Sequence, residues 1–146
     1  MDFRGEAVRV AETVSAPTIG GNLSVIASLI GTDLLPSFSG KIVVLEDIGE
    51  RAYRLDRMLF QMKAAGVFDG ALGVVVGQLT RCESGTAEYS ALDVLTEGLD
   101  KLGIPIITKV ELGHESTARP MLLGALATLN SAEGLLSFGA CSGIQP

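Results

Sequence analysis

Apolar residues in this chain follow two periods. Residues 41–45 (Lys41-Ile42-Val43-Val44-Leu45) and 71–76 form short, nearly continuous apolar runs closed by polar or glycine positions, the pattern of strands buried on both faces. Residues 104–107 (Ile104-Pro105-Ile106-Ile107) predict a third short strand, and residues 7–11 another near the start. Helical spacing appears at Leu23, Ile26, Ala27 and Ile30, at Leu55, Met58, Leu59 and Met62, and at Leu92, Leu95, Leu99 and Leu102. Asn22 suits the N-cap of the first helix, while Gly31, Gly66 and Gly103 suit the positions just past the helix ends. Pro17 and the paired Gly20-Gly21 predict a loop over residues 15–21. Strand, helix, strand, helix, strand implies parallel pairing through right-handed crossovers. Residues 122–129 and 135–138, with a turn at 130–134, predict an antiparallel extension or a small second sheet. The expected class is α/β, with a parallel central sheet, flanking helices and a small antiparallel part, in a single domain over residues 1–146.

This pattern directs attention to Glu46, which follows the 41–45 strand at once. Loops at the C-terminal ends of parallel strands line the ligand crevice of such sheets. Asp47 is expected as the N-cap of the next helix, with Glu50 three residues on completing a capping box. Arg54, four residues from Glu50, allows an ion pair on the same helix. His114 is the only histidine, so any histidine-dependent step must use it. It lies in the polar stretch Glu111-Leu112-Gly113-His114-Glu115-Ser116, just beyond the 104–107 strand, and could emerge at the same sheet edge as Glu46. A carboxylate accepting from Nδ1–H would leave Nε2 free as a base; an exposed histidine without a role is the plainer alternative.

A nucleophile is harder to find. Ser39 lacks the first glycine of a Gly-x-Ser-x-Gly elbow, and Ser24, Ser116 and Ser142 have no supporting context. A metal site from Glu46, Asp47 and His114 lacks a spaced ligand pair. Gly20-Gly21-Asn22 before a helix could bind an anion through backbone N–H groups, though a tight turn with a cap is the better account of it. Arg54, Asp56 and Arg57 read as a solvated helix face, or as the buttress of a site or interface near Glu46.

Charge and composition narrow the partners. A net charge of −6, with scattered Lys and Arg, gives no basic footprint for nucleic acid or an anionic membrane. The two cysteines, Cys82 and Cys141, have neither metal-type spacing nor a disulfide framework. No apolar run approaches the ~18–20 residues of a membrane span, and no signal peptide pattern opens the chain. The expectation is a cytoplasmic protein without cofactor. Hydrophobic residues make up 47%, enough to leave apolar surface for a partner.

Several blocks together resemble one family. Gly20-Gly21-Asn22-Leu23-Ser24, Gly31-Thr32, the stretch from Gly40-Lys41-Ile42 through Leu45-Glu46-Asp47, and Tyr53-Arg54-Leu55-Asp56-Arg57-Met58-Leu59 are followed in order by Ala65-Gly66, Gly73 to Gly77, Cys82, Ile104-Pro105 and Gly113-His114. The run resembles the C-terminal half of the LD-carboxypeptidases, serine peptidases that trim the terminal D-amino acid from murein tetrapeptide and whose relatives include the microcin C self-immunity peptidase. The resemblance implies a swivelling β/β/α domain and a Ser–Glu–His triad with Glu46 and His114 as its second and third members. It implies a nucleophilic serine on a separate N-terminal α/β domain, absent here, and a chain inactive alone. Implied partners are that domain, a peptidoglycan-derived peptide and a second copy in a homodimer. Gly21 and Asn22, at the glycine-led helix start, stand as the candidate substrate-binding residues. Two features depart from the family pattern. Glu115 follows the histidine where glycine is usual, and Pro120-Met121-Leu122-Leu123-Gly124 is longer than the usual proline–aliphatic–glycine stretch. The absence of Trp leans towards muropeptides over microcin-type substrates. From a different class stands a binding or assembly module in which Glu46 and His114 are relics.

Overall fold

The computed structural model describes residues 1–82 and 89–139; Cys141 and Ser142 lie outside the described residues. The elements in chain order are β1 (Asp2–Arg4), β2 (Glu6–Arg9), β3 (Val14–Asn22), α1 (Leu23–Ser28), β4 (Ile42–Ile48), α2 (Ala52–Ala64), β5 (Gly73–Thr80), α3 (Ala91–Asp100), β6 (Ile106–Thr108), β7 (Leu126–Asn130) and β8 (Leu135–Phe138). The strands form one sheet in the order β1-β8-β7-β3-β4-β5-β6-β2. β3, β4, β5 and β6 run parallel. β7 and β8 extend the sheet antiparallel beyond β3, and β2 does so beyond β6. The α/β class and parallel centre are as expected, and the antiparallel part occupies both flanks.

β1 and β2 are separated by Gly5 alone, yet they stand at opposite ends of the strand order. The sheet therefore curls until its edges meet there, giving a nearly closed barrel. The Gly5 N–H donates to Gly134 O at 2.8 Å. A Cβ on Gly5 would run into Thr108 O and the Val110 side chain, so the seam has room only for glycine.

Alternation along the strands separates two apolar layers. Ile42, Val44, Val75, Ile107 and Leu129 face the barrel interior with Phe3, Leu136 and Phe138. Val43, Leu45, Val74, Val76 and Ile106 face outward, covered by Leu23 and Ile26 of α1, Leu55, Leu59 and Met62 of α2, and Leu95 and Leu99 of α3. Each fully buried Leu or Met contributes about 1.5–3 kcal/mol over its exposed state. The helices form where the 3.6-residue spacing put them, although α1 stops at Ser28, short of Ile30. Asn22 caps α1, its side chain accepting from Val25 N at 3.1 Å. The described helices include none long and apolar enough to cross a membrane.

Two local expectations fail. Residues 15–21 are not a loop but most of β3, parallel to β4 and antiparallel to β7. The β4 ladder begins at Thr18, so Pro17 is paired only with β7, and its missing N–H breaks no bond to β4. Gly20 sits at φ +139 against the backbone of Val44, where any Cβ would collide. Asp47 is likewise not the N-cap of α2. β4 continues through it to Ile48, and α2 starts at Ala52 with Arg51 in the cap position and no side-chain cap bond. Glu50 forms no capping box there, but its ion pair with Arg54 is present at 3.0 Å. A capping box occurs instead at Ser90 and Asp93 of α3.

Candidate functional site

The parallel strands bring their C-terminal ends to one edge, and β5 lies between β4 and β6. To reach β4 from β6, the chain must cross the end of β5. It does so by pairing with it: Val110 N donates to Val76 O at 3.3 Å, and Gln78 N donates to Leu112 O at 2.8 Å. Val110 and Leu112 anchor this crossing in the barrel core. Gly113 then turns at φ +127, beside Gln78 and Glu46. A Cβ there would lie 3.3 Å from Glu46 Oε2, tighter than ordinary contact.

His114 Nδ1 consequently stands 2.7 Å from Glu46 Oε2. A carboxylate can only accept, so the proton of this bond lies on Nδ1, and the neutral ring then keeps its lone pair on Nε2. The Glu46 side chain is 11% exposed and the His114 side chain 45%. The carboxylate is thus set in the protein while the imidazole faces outward. Among the described residues, this bond is the only one the ring makes. Glu115 is exposed.

Behind the pair, a cavity of about 210 Å³ opens at the barrel mouth, lined by Gly21, Val44, Glu46, Leu112, Gly113, Arg119, Met121 and Leu123. Gly21, singled out in the sequence, therefore lies beside Glu46. Asn22 is engaged otherwise. Its Oδ1 accepts from Val25 N and Ser24 Oγ, and its Nδ2 donates to Asp47 Oδ1 at 3.2 Å. Strand alternation sends Asp47 to the face opposite Glu46, where it is buried and accepts from Ser24 N at 2.9 Å and Ile48 N at 2.7 Å. The start of α1, considered above as an anion site, is thus filled by the chain's own carboxylate. Ser24 is held in the same network.

Two residues of this region carried no distinct signal in the sequence. Arg119 lines the cavity, its guanidinium 4.7 Å above the Phe3 ring and its Nη1 donating to Asp2 O at 2.9 Å. Gln78 follows the glycine that closes the 71–76 run; only its place at a parallel strand's C-terminal end could have marked it. Cys82, nearby, has its thiol pushed up from the ordinary value, first by burial.

Residues 15–129 match the family described as the LD-carboxypeptidase C-terminal domain. The chain is 32% identical over 120 residues to the murein tetrapeptide carboxypeptidase of Pseudomonas aeruginosa, an overlap of 81% of this chain and 39% of that protein. It is 35% identical over 117 residues to a Bacillus subtilis protein named "Probable murein peptide carboxypeptidase", covering 79% of this chain and 37% of that one. Among solved structures, muramoyltetrapeptide carboxypeptidase from Oxalobacter formigenes superposes with a TM-score of 0.78 at 28% identity, over 93% of this chain and 48% of that chain. The chain spans less than half the length of each of these relatives.

Proposed function

The chain belongs to the family of LD-carboxypeptidase C-terminal domains, and on that premise we propose that it is the single-domain C-terminal half of a serine LD-carboxypeptidase. The substrate is a murein tetrapeptide, cut between an L-centre diamino acid and the terminal D-alanine. The observation that carries this reading is the buried carboxylate of Glu46 at 2.7 Å from Nδ1 of the outward-facing His114. His114 Nε2 takes the proton of a serine presented by an N-terminal domain, then hands it to the departing D-amino acid. Glu46 holds the imidazole in the tautomer that makes this possible and stabilises the imidazolium. An acyl-enzyme forms and water hydrolyses it. Gly21 beside the pair is a wall of the substrate cleft, while Asn22 shapes that wall from within the α1 cap.

The nucleophile domain docks over this edge. Leu122 and Leu123 are exposed there, and Leu123 lines the cavity behind Glu46. The assembled enzyme works as a homodimer in the cytoplasm and needs neither metal nor cofactor. Without the serine, this chain has no peptidase activity.

The test is reconstitution. The chain is mixed with the nucleophile domain of a relative, and D-alanine release from a diaminopimelate-D-Ala or L-Lys-D-Ala peptide is followed. Activity should appear only in the mixture, and H114A should lower it by about 10²–10⁴-fold. Full activity from an E46A/H114A double variant would overturn the assignment.

A further inference from the structure

We propose that Gln78 is a positioning residue for His114, holding the histidine loop against Glu46; this rests on the reading of Glu46 and His114 given above. The sheet register supplies the first observation. Leu45 pairs with Val76 but Asp47 pairs with Leu79, so Glu46 alone faces both Gly77 and Gln78. One extra residue on β5 thus stands across from Glu46, and bulges of this kind re-aim a side chain next to a site.

That extra residue holds the loop at two points. Its backbone N–H donates to Leu112 O at 2.8 Å, two residues before His114. Its side-chain Nε2 donates to Thr117 Oγ1 at 2.9 Å, three residues after. Between the two, Gly113 packs against Gln78, whose Cβ and O lie 3.3 Å from where a Gly113 Cβ would stand. Gly77 assists, since any side chain there would strike Leu112. The segment bearing His114 is therefore a short span tied at both ends to one residue, itself seated opposite Glu46.

The Gln78 amide is not explained by core stability. Its Oε1 is buried and accepts from no donor among the described residues, so packing and pairing in the core do not by themselves account for a glutamine here. The Nε2 bond to Thr117 does. Arg119 N donates to Glu111 O at 2.8 Å and closes the loop two residues further on, so cutting the Thr117 bond loosens the span between His114 and that closure, and the imidazole drifts from its 2.7 Å contact.

The single histidine makes the test direct, because ¹⁵N and ¹H spectra of the imidazole contain His114 alone. In the unaltered 146-residue chain, a downfield Nδ1–H signal with the Nδ1–H tautomer is expected. T117V and Q78M cut the same bond from opposite sides, and Thr117 is exposed, so T117V leaves the core intact. Both should weaken or abolish the downfield signal and mix the tautomers, while T117S, which keeps the hydroxyl, should restore it. In the reconstituted enzyme, T117V should lower kcat by roughly 10–100-fold with KM little changed, as expected of a misplaced base. An unaltered His114 spectrum in both T117V and Q78M, alongside loss of the signal in E46A, would overturn the role of Gln78 while leaving the Glu46–His114 pair standing. A signal that persists in E46A, which has no acceptor at this position, would remove the pair itself, and this proposal with it.

Discussion

Glu46 and Asp47 are neighbours with the same kind of head group and opposite duties, because successive residues of a strand face opposite sides of the sheet. Glu46 looks into the barrel mouth and, among the described residues, its carboxylate hydrogen-bonds only to His114. Asp47 looks outward and gathers Ser24 N, Ile48 N and Asn22 Nδ2. Substituting them should therefore separate chemistry from stability. E46Q is expected to leave the denaturation midpoint nearly unchanged and to lower D-alanine release in the reconstituted enzyme by roughly a hundredfold or more. D47A leaves buried donors without an acceptor and should cost about 1–3 kcal/mol in urea unfolding. Equal losses of stability in the two variants would contradict this division. The sequence pointed to both carboxylates but misjudged Asp47. A capping-box spacing with Glu50 was present, yet β4 keeps pairing with β5 as far as Ile48, and pairing outweighed the local cap signal.

At the scale of elements, α3 illustrates a cap that does form. Ser90 Oγ accepts from Asp93 N at 3.1 Å, and Asp93 Oδ2 accepts from Ser90 N at 3.0 Å and from Ser90 Oγ at 2.7 Å. The side-chain bond from Ser90, followed by the backbone bond, holds the Asp93 carboxyl below its ordinary value. A carboxyl whose folded value is depressed favours the fold above its unfolded value, and that benefit fades as pH falls through the folded value. Thermal melts should accordingly show D93N less stable than the unaltered chain at neutral pH. The difference should begin to shrink below about pH 4, the unfolded value of an aspartate, and vanish as pH falls through the lower folded value. A difference that persists undiminished at pH 2 would show that the charge is not its source. The helices were legible because each buries a stripe at regular spacing, as with Leu55, Leu59 and Met62. β3 was not legible. Pro17, Gly20 and Gly21 carry every local sign of a loop, and only the neighbouring backbone of Val44 explains why a residue without a side chain is needed in a central strand.

For the whole molecule, the decisive feature is the seam at Gly5, where β1 and β2 part to opposite edges of one sheet. Closure makes the inner layer a true core, with Phe3 and Phe138 meeting edge to face at 6.1 Å between ring centres. G5V would thrust a branched side chain at Thr108 O and Val110, and should cost about 1–3 kcal/mol in urea denaturation. Val110 also begins the crossing that carries His114, so the same variant should broaden or shift the His114 resonances. A G5V chain as stable as the original would mean that the seam is not closed as described. The division between sequence and structure follows from range. Patterns within ten or fifteen residues, such as apolar runs, helical stripes, the cap at Asn22 and an acid at a strand end, are written in the sequence because neighbouring residues enforce them. Glu46 and a lone His114 were therefore visible as candidates. The 2.7 Å contact between residues 68 positions apart was not. It exists because β5 lies between β4 and β6, because the chain after β6 pairs across the end of β5, and because Gly113 turns at φ +127 in close contact with Gln78 and Glu46, where a side chain would be crowded. Those are contacts between distant residues, and only the folded sheet decides them.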